Sequence, residues 1–203
     1  MDYTYIFDLD STITTQEILP TISKVIGRYD EMRDLTEKTM RGEMPFYQSF
    51  LERINILSDI PVSIVADMIA EIPYNKKLVE FLNKNKDKCY IVTGNLHCWI
   101  EKLIEKIGMT GHCYCSHAKV ENDKIVDVYE VIDKSNVDKW FKPEIVAVGD
   151  GNNDAEMIAK ADIGIGFGGV RNIAPAVLEN ASHAIYDEST LVKFLQRLGD
   201  NDK

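Results

Sequence analysis

Two aspartates, Asp8 and Asp10, stand two residues apart directly after Tyr3-Thr4-Tyr5-Ile6-Phe7. That aromatic and β-branched run has the composition of a short buried strand. Residues two apart on an extended chain point the same way, so both carboxylates face one small volume. At the carboxyl end of a strand in an open α/β sheet, that volume is where ligands bind. Two carboxylates so close repel, and one keeps its proton unless a cation intervenes. The pair could serve a hydrolase as nucleophile and acid/base, or could hold Mg²⁺, which takes oxygen ligands together with phosphate. Taken alone, Asp8-Leu9-Asp10-Ser11-Thr12 is also compatible with a turn and helix N-cap.

Other strand ends carry polar groups of the same kind. Lys88-Cys89-Tyr90-Ile91-Val92-Thr93 reads as a strand ending at Gly94-Asn95, and Ile145-Val146-Ala147-Val148 as a fully buried strand running into Gly149-Asp150-Gly151. Such groups are costly inside a core without partners. Brought to neighbouring strand ends, each has a task around a phosphate. Thr93 offers a hydroxyl, Gly94 lets backbone N–H groups come close, and Asp150 adds a hard oxygen ligand. Three carboxylates and a phosphate require cations. Mg²⁺ would be one, and a lysine from between Thr93 and Asp150 the other.

The elements that must position these groups fall into two parts. From about Thr15 to Pro73 the pattern is helical and contains no convincing strand. Ile18, Leu19, Ile22, Val25 and Ile26 recur at three- and four-residue spacing before Gly27. Further helices are predicted from Asp30 to Met40, from Pro45 with Phe46, Phe50, Ile54 and Leu57 on one face, and from Pro61 with Val62, Val65, Ala66 and Ile69. An insertion of this length should have structure of its own, here a four-helix cap over residues 15–73. The remainder, 1–14 and 74–203, alternates strands and helices: helices over Asn75–Asn83, Leu96–Ile107 (closed by Gly108), Ala155–Lys160 and Leu191–Leu198, and strands over His112–Val120, Lys124–Val131, Ile163–Ile165 and Ala184–Ile185. That alternation predicts an α/β core with a mostly parallel sheet and helices on both faces.

The totals restrict the class. The 203 residues are 45% hydrophobic and 28% charged, as in a globular protein with one sizeable core. No apolar run is long enough for a membrane span and the N-terminus lacks signal-peptide character, so no membrane partner is expected. Cys89, Cys98, Cys113 and Cys115 fit no disulfide framework, which predicts a cytoplasmic protein. A net charge of -10 argues against a nucleic-acid partner, whereas a small phosphorylated metabolite is compatible with locally placed cations.

The order Asp8-x-Asp10-x-Thr12, Thr93-Gly94, a lysine, then Gly149-Asp150-Gly151-x-x-Asp154 resembles the haloacid dehalogenase superfamily of aspartate-nucleophile phosphatases. The first motif continues Asp-Ser-Thr to Glu17, and the insertion carries Met40-Arg41-Gly42-Glu43-Met44-Pro45-Phe46 leading to Arg53. Both features resemble the phosphoserine phosphatase-like branch. The resemblance implies a Rossmann-like core with a helical-bundle cap inserted after the first strand. It further implies that Asp8 is the nucleophile and Asp10 the acid/base. Mg²⁺ would be held by the side chains of Asp8 and Asp150 and the carbonyl of Asp10. Thr93 and Gly94 would bind phosphate, and Lys134 would offset its charge with Asp154 orienting the lysine. Glu17 and Arg53 would take the substrate amino and carboxylate groups, with Ser11, Met40, Phe46 and Asn153 lining the site. Where that branch typically has Ser-Gly-Gly, this chain has Thr93-Gly94-Asn95. Phosphatases of other small metabolites, and phosphotransfer to an acceptor hydroxyl, are therefore alternatives.

Three other signals are set aside. Cys113, Cys115 and His117 share one strand face, but no Cys-x-x-Cys pair completes a zinc site. Gly164-Ile165-Gly166-Phe167-Gly168-Gly169 has the wrong spacing for a dinucleotide loop and reads as a turn beside the site. The Asp150-Asn152-Asp154 run lacks the glycine and glutamate of an EF-hand.

Overall fold

The computed structural model describes residues 3–142 and 144–200; residues 1–2, 143 and 201–203 of the expected core lie outside the described residues. Its centre is a seven-stranded sheet in the order β4-β3-β2-β1-β5-β6-β7. The strands are β1 (Thr4–Phe7), β2 (Cys89–Leu96), β3 (Cys113–Glu121), β4 (Lys124–Glu130), β5 (Ile145–Gly149), β6 (Ile163–Phe167) and β7 (His183–Ile185). All neighbours are parallel except β3 and β4, which form an antiparallel hairpin. β1 lies between β2 and β5, with Phe7 opposite Ile91 on one side and Val148 on the other. Ile6, Phe7 and β5 are buried on both faces of the sheet, as strands covered by helices on both sides must be. Burying each such side chain contributes about 1.5–3 kcal/mol.

Helices α5 (Lys76–Lys84), α6 (His97–Lys106), α7 (Val137–Trp140), α8 (Ala155–Lys160), α9 (Pro175–Asn180) and α10 (Glu188–Asp200) connect or follow the strands. Gly108, at φ +78°, lets the chain leave α6 in the left-handed conformation that ends a helix. Between β1 and α5 lie α1 (Ile18–Ser23, extended by a 3₁₀ turn to Ile26), α2 (Tyr29–Met40), α3 (Phe46–Leu57) and α4 (Val62–Ala70). Pro45 and Pro61 stand at the entrances of α3 and α4, where a missing N–H costs nothing. The α4 helix rests on α6: Lys102 pairs with Asp67, and the Lys106 ammonium donates to the Ala70 carbonyl at 2.6 Å. Asp123, in the β3–β4 turn, accepts from Ser63 N–H at 2.9 Å and from the Ser63 hydroxyl at 2.5 Å, capping the start of α4.

Two local differences from the sequence reading matter for the site. β2 does not stop at Thr93 but runs to Leu96, which pairs with Ser116 after a register shift, so Thr93 and Gly94 lie inside the strand. Residues 134–140, to which the sequence reading assigned no element, form a 3₁₀ turn (Lys134–Asn136) and the short α7; Asp133 opens them by accepting from Ser135 N–H at 3.0 Å. Among the described residues no helix is long and apolar enough to cross a membrane.

Candidate active site

The carboxyl ends of β1, β2 and β5 meet at one point. Asp8 follows β1 and is buried, as are Thr93 in β2 and Asp150 after β5. The Lys134 ammonium reaches Asp8 from the 3₁₀ turn and also donates to Asp154 Oδ1 at 2.6 Å. The other oxygen of Asp154 accepts from the backbone N–H groups of Asp150 at 3.1 Å and Gly151 at 2.8 Å. With both oxygens engaged, Asp154 fixes Lys134 and the loop that carries Asp150.

Asp10 is held differently. Its Oδ1 accepts from Ile18 N–H at 3.0 Å, at the start of α1, which aims the carboxyl along the entrance to the helical insertion. Ser11 turns the chain between them at φ +63°, an unfavourable conformation for a residue with a Cβ. Thr14 Oγ1 compensates by accepting from Ser11 N–H at 3.0 Å.

These carboxyls are short of positive charge. Burial pushes Asp8 up to about 7 against the pull of Lys134, and pushes Asp10 and Asp150 up to about 7 against the pull of Arg171. Burial draws on the Lys134 ammonium too, but Asp154 and Asp8 outweigh it and hold the pKa above the usual lysine value. Asp8, Asp150 and Asp154 each bring a carboxylate oxygen within 4.8 Å of the other two. Asp154 is tied by both oxygens to Lys134 and to the backbone of its own loop, and Asp150 accepts from the Thr12 hydroxyl and Arg171, so a hard, oxygen-loving divalent cation at Asp8 and Asp150 would share or displace those two donors. The site therefore fits such an ion in donor type, burial and charge deficit.

Above the carboxyls is a small pocket. Asp8, Asp10, Thr93 and Gly94 line its base; Met40, Phe46, Arg53 and Asn153 line its walls, with Asn95 and Arg171. Phe46 packs so closely on Gly94 that a Cβ there would lie 2.4 Å from the ring, so only glycine permits this contact between α3 and β2. Arg53 is buried, with Nε donating to the Ser49 carbonyl at 3.3 Å and its charge over the Phe46 and Phe50 rings at 5.7 and 5.9 Å. Its Nη2 is buried without a hydrogen-bond partner. Burial pulls the Arg53 pKa down to about 10. A buried donor left unmatched inside a pocket is suited to an anionic ligand group.

Two residues expected to contact substrate do not line the pocket. Ser11 is buried beneath it, and Glu17 sits behind Arg171, whose Nη1 donates to Glu17 Oε1 at 2.7 Å. Asn95 lines the pocket and donates through Nδ2 to Thr93 Oγ1 at 3.2 Å, whereas the His97 ring lies 4.8 Å from that of His117 and does not line it. Among the described residues, Cys113, Cys115 and His117 do not form a group that could hold a metal.

A family model of haloacid dehalogenase-like hydrolases matches residues 5–159, which contain Asp8, Asp10, Thr93, Lys134, Asp150 and Asp154. The chain belongs to this family. Among its relatives, a phosphoserine phosphatase of Lactococcus lactis subsp. lactis is 29% identical over 214 residues, covering 97% of each chain. A phosphoserine phosphatase of Archaeoglobus fulgidus is 30% identical over 92% of this chain, which spans 57% of that protein's length. A structure titled as a phospho-aspartyl intermediate analogue of phosphoserine phosphatase superposes with a TM-score of 0.78 at 26% identity, over 95% of this chain and 98% of the other.

Two polar residues of this haloacid dehalogenase-like hydrolase escaped the sequence reading. The Thr12 hydroxyl donates to Asp150 Oδ1 at 3.2 Å, and Arg171 Nε donates to Asp150 Oδ2 at 2.5 Å. Thr12 was in view as a motif residue without a task. Arg171 lies two residues past the glycine-rich turn set beside the site, and only the return of that loop to Asp150, with Ala174 N–H donating to the Asp150 carbonyl at 2.8 Å, brings it in.

Proposed function

We propose that this chain is a Mg²⁺-dependent phosphomonoesterase of the cytoplasm that converts L-phosphoserine to L-serine and phosphate through an aspartyl-phosphate on Asp8. The observation that carries this reading is the buried Asp8–Lys134–Asp154 cluster lying under a pocket with an unmatched guanidinium donor. In this reading the helices of residues 15–73 act as a cap over a core of 1–14 and 74–203, and bring Met40, Phe46 and Arg53 to the substrate.

The chain's own residues account for the steps. The Asp8 carboxylate attacks phosphorus, and the bond from phosphorus to the serine oxygen breaks. Asp10, whose pKa near 7 leaves it partly protonated, passes its proton to that oxygen. Asp10 then takes a proton from water as water attacks phosphorus, which frees Asp8 and releases phosphate. The Thr93 hydroxyl and Gly94 backbone bind the non-bridging oxygens, and the Lys134 ammonium offsets charge gathered there. Asp8, Asp150 and the Asp10 carbonyl would hold Mg²⁺, which would supply Lewis-acid charge when bound. Arg53 takes the substrate carboxylate.

The test is phosphate release with Mg²⁺ over a panel of phosphomonoesters. L-phosphoserine is expected to lead in kcat/KM by roughly 100-fold, about 2.7 kcal/mol in transition-state binding. Equal rates across the panel would retain a phosphatase and remove the substrate assignment. A new phosphorylated product on adding acceptor alcohols would mark a transferase instead.

A pH prediction follows from the crowded carboxyls. Asp8, Asp10 and Asp150 rise from an ordinary value of 3.8 to about 7 in the fold. Between those limits the folded state binds more protons than the unfolded state, so stability is greatest at low pH and falls as pH rises towards 7. In EDTA the melting temperature is expected to drop between pH 5 and 8. Added Mg²⁺ should raise it, and more at pH 8, because protons and metal compete for the same oxygens. A Mg²⁺ increment independent of pH would count against a metal on these carboxylates.

A further inference from the structure

β2 passes the site without regular pairing. Its register with β1 ends at Ile91, and its register with β3 shifts between Val92 and Leu96, so Thr93, Gly94 and Asn95 fall in the break. Ser116 of β3, opposite Leu96 and fully buried, spans that break with its side chain. Its hydroxyl donates to the Gly94 carbonyl at 2.7 Å. A peptide unit is planar, so this bond also fixes the Asn95 N–H, which donates to Thr93 Oγ1 at 3.2 Å. Asn95 Nδ2 donates to the same oxygen, also at 3.2 Å. With two donors directed at its oxygen, the Thr93 hydroxyl has its own hydrogen left to give to a ligand.

The same Ser116 oxygen accepts from Ile132 N–H at 3.1 Å. β4 ends at Glu130 and the 3₁₀ turn opens at Lys134, so Ile132 lies in the short connection between them. Asp133 follows, and then the buried lysine that reaches Asp8 and Asp154. One hydroxyl therefore ties the peptide behind Thr93 to the backbone two residues before Lys134. We propose that Ser116 is a positioning residue that sets the Thr93 hydroxyl and the Lys134 ammonium at the separation a phosphoryl group requires in the transition state. The proposal rests on the reading of the pocket as a phosphomonoesterase site. A small displacement of either group leaves it in reach of the bound phosphate but mismatched to the transition state, so the loss falls on rate rather than on binding.

Ser116→Ala removes both bonds and little volume. With the phosphomonoester that the parent hydrolyses best, kcat should fall at least about tenfold while KM changes less than about threefold. Ser116→Thr keeps the hydroxyl on a residue suited to a strand and should restore most of the loss. Two readouts are independent of how well threonine fits. In a Lys134→Met background, Ser116→Ala should cost less than about threefold more, because the group it places is gone. Orthovanadate, whose five-coordinate adducts resemble the transition state, should bind Ser116→Ala at least about tenfold more weakly, whereas L-phosphoserine binding to Asp8→Asn should change less than about threefold on adding Ser116→Ala. Leu195 is buried in α10, a helix that packs on α5, and supplies the stability control: Leu195→Ala should lower the melting temperature and leave kcat unaltered below the melt. The proposal is overturned if Ser116→Ala lowers kcat less than about tenfold, or if its loss multiplies in full with that of Lys134→Met. It is equally overturned if KM rises in place of the fall in kcat, or if a folded Ser116→Thr is as slow as Ser116→Ala. A parent inert on every phosphomonoester would refute the phosphatase reading. Weakened orthovanadate binding by Ser116→Ala in that inert protein would still retain Ser116's role at an anion site, and unchanged binding would overturn it as well.

Discussion

Asp8→Asn is expected to lower kcat by roughly 10⁴-fold or more, as removal of a covalent nucleophile does elsewhere. The change is isosteric and the amide cannot form the acyl phosphate. The fold should survive it. Asp8 already leans towards its neutral form, since burial pushes it up to about 7, so an uncharged side chain suits the position. Lys134 retains Asp154 as a partner at 2.6 Å. The measurement is single-turnover phosphate release alongside a thermal melt. Turnover within tenfold of the parent would remove Asp8 as nucleophile; collapse of the melt would show that the site also holds the sheet together.

Lys134→Met should damage both activity and stability. The side chain is nine-tenths or more buried and bridges two carboxylates, Asp8 and Asp154, that are themselves buried. Removing the cation leaves them facing one another, a loss of about 3–5 kcal/mol for a broken buried pair. The missing positive charge should also cost about 10²–10³-fold in kcat. Proton uptake relieves the repulsion, so urea unfolding should show a larger deficit at pH 8 than at pH 5. A deficit equal at both values would assign the loss to packing rather than charge.

The motif residues were legible because their spacing repeats a simple geometric rule: a polar side chain just beyond, or at the end of, a buried apolar strand. Asp8 and Asp150 obey it, Thr93 lies inside the longer β2 beside the end of β1, and β1, β2 and β5 are adjacent in the sheet. The helices from Ile18 to Ala70 were legible from periodicity and from Pro45 and Pro61 at their entrances. The need for a cation pointed to a lysine between Thr93 and Asp150, and the family resemblance singled out Lys134, which is buried, whereas Lys119, Lys124 and Lys139 are exposed. What stayed hidden depends on long-range return of the chain. Arg171 is 154 residues from Glu17, and no local pattern links them. The end of β2 was missed because pairing of Leu96 with Ser116, a tertiary contact, carries the strand past Gly94.

The position of β1 in the sheet has a kinetic side. Its partners come late in the chain: Tyr5 is in register with Cys89, and Thr4 with Ile145. Parallel pairings over such separations close long loops before they return any contact energy, which makes them slow steps of folding. The Asp8–Lys134 contact spans 126 residues and needs both flanking strands in place. Its charges are therefore expected to meet after the main barrier. An interaction formed that late governs how fast the native protein comes apart rather than how fast it forms. The buried Asp8–Lys134–Asp154 cluster should therefore act as a lock on unfolding, and resistance to slow inactivation should follow its integrity more closely than refolding speed does.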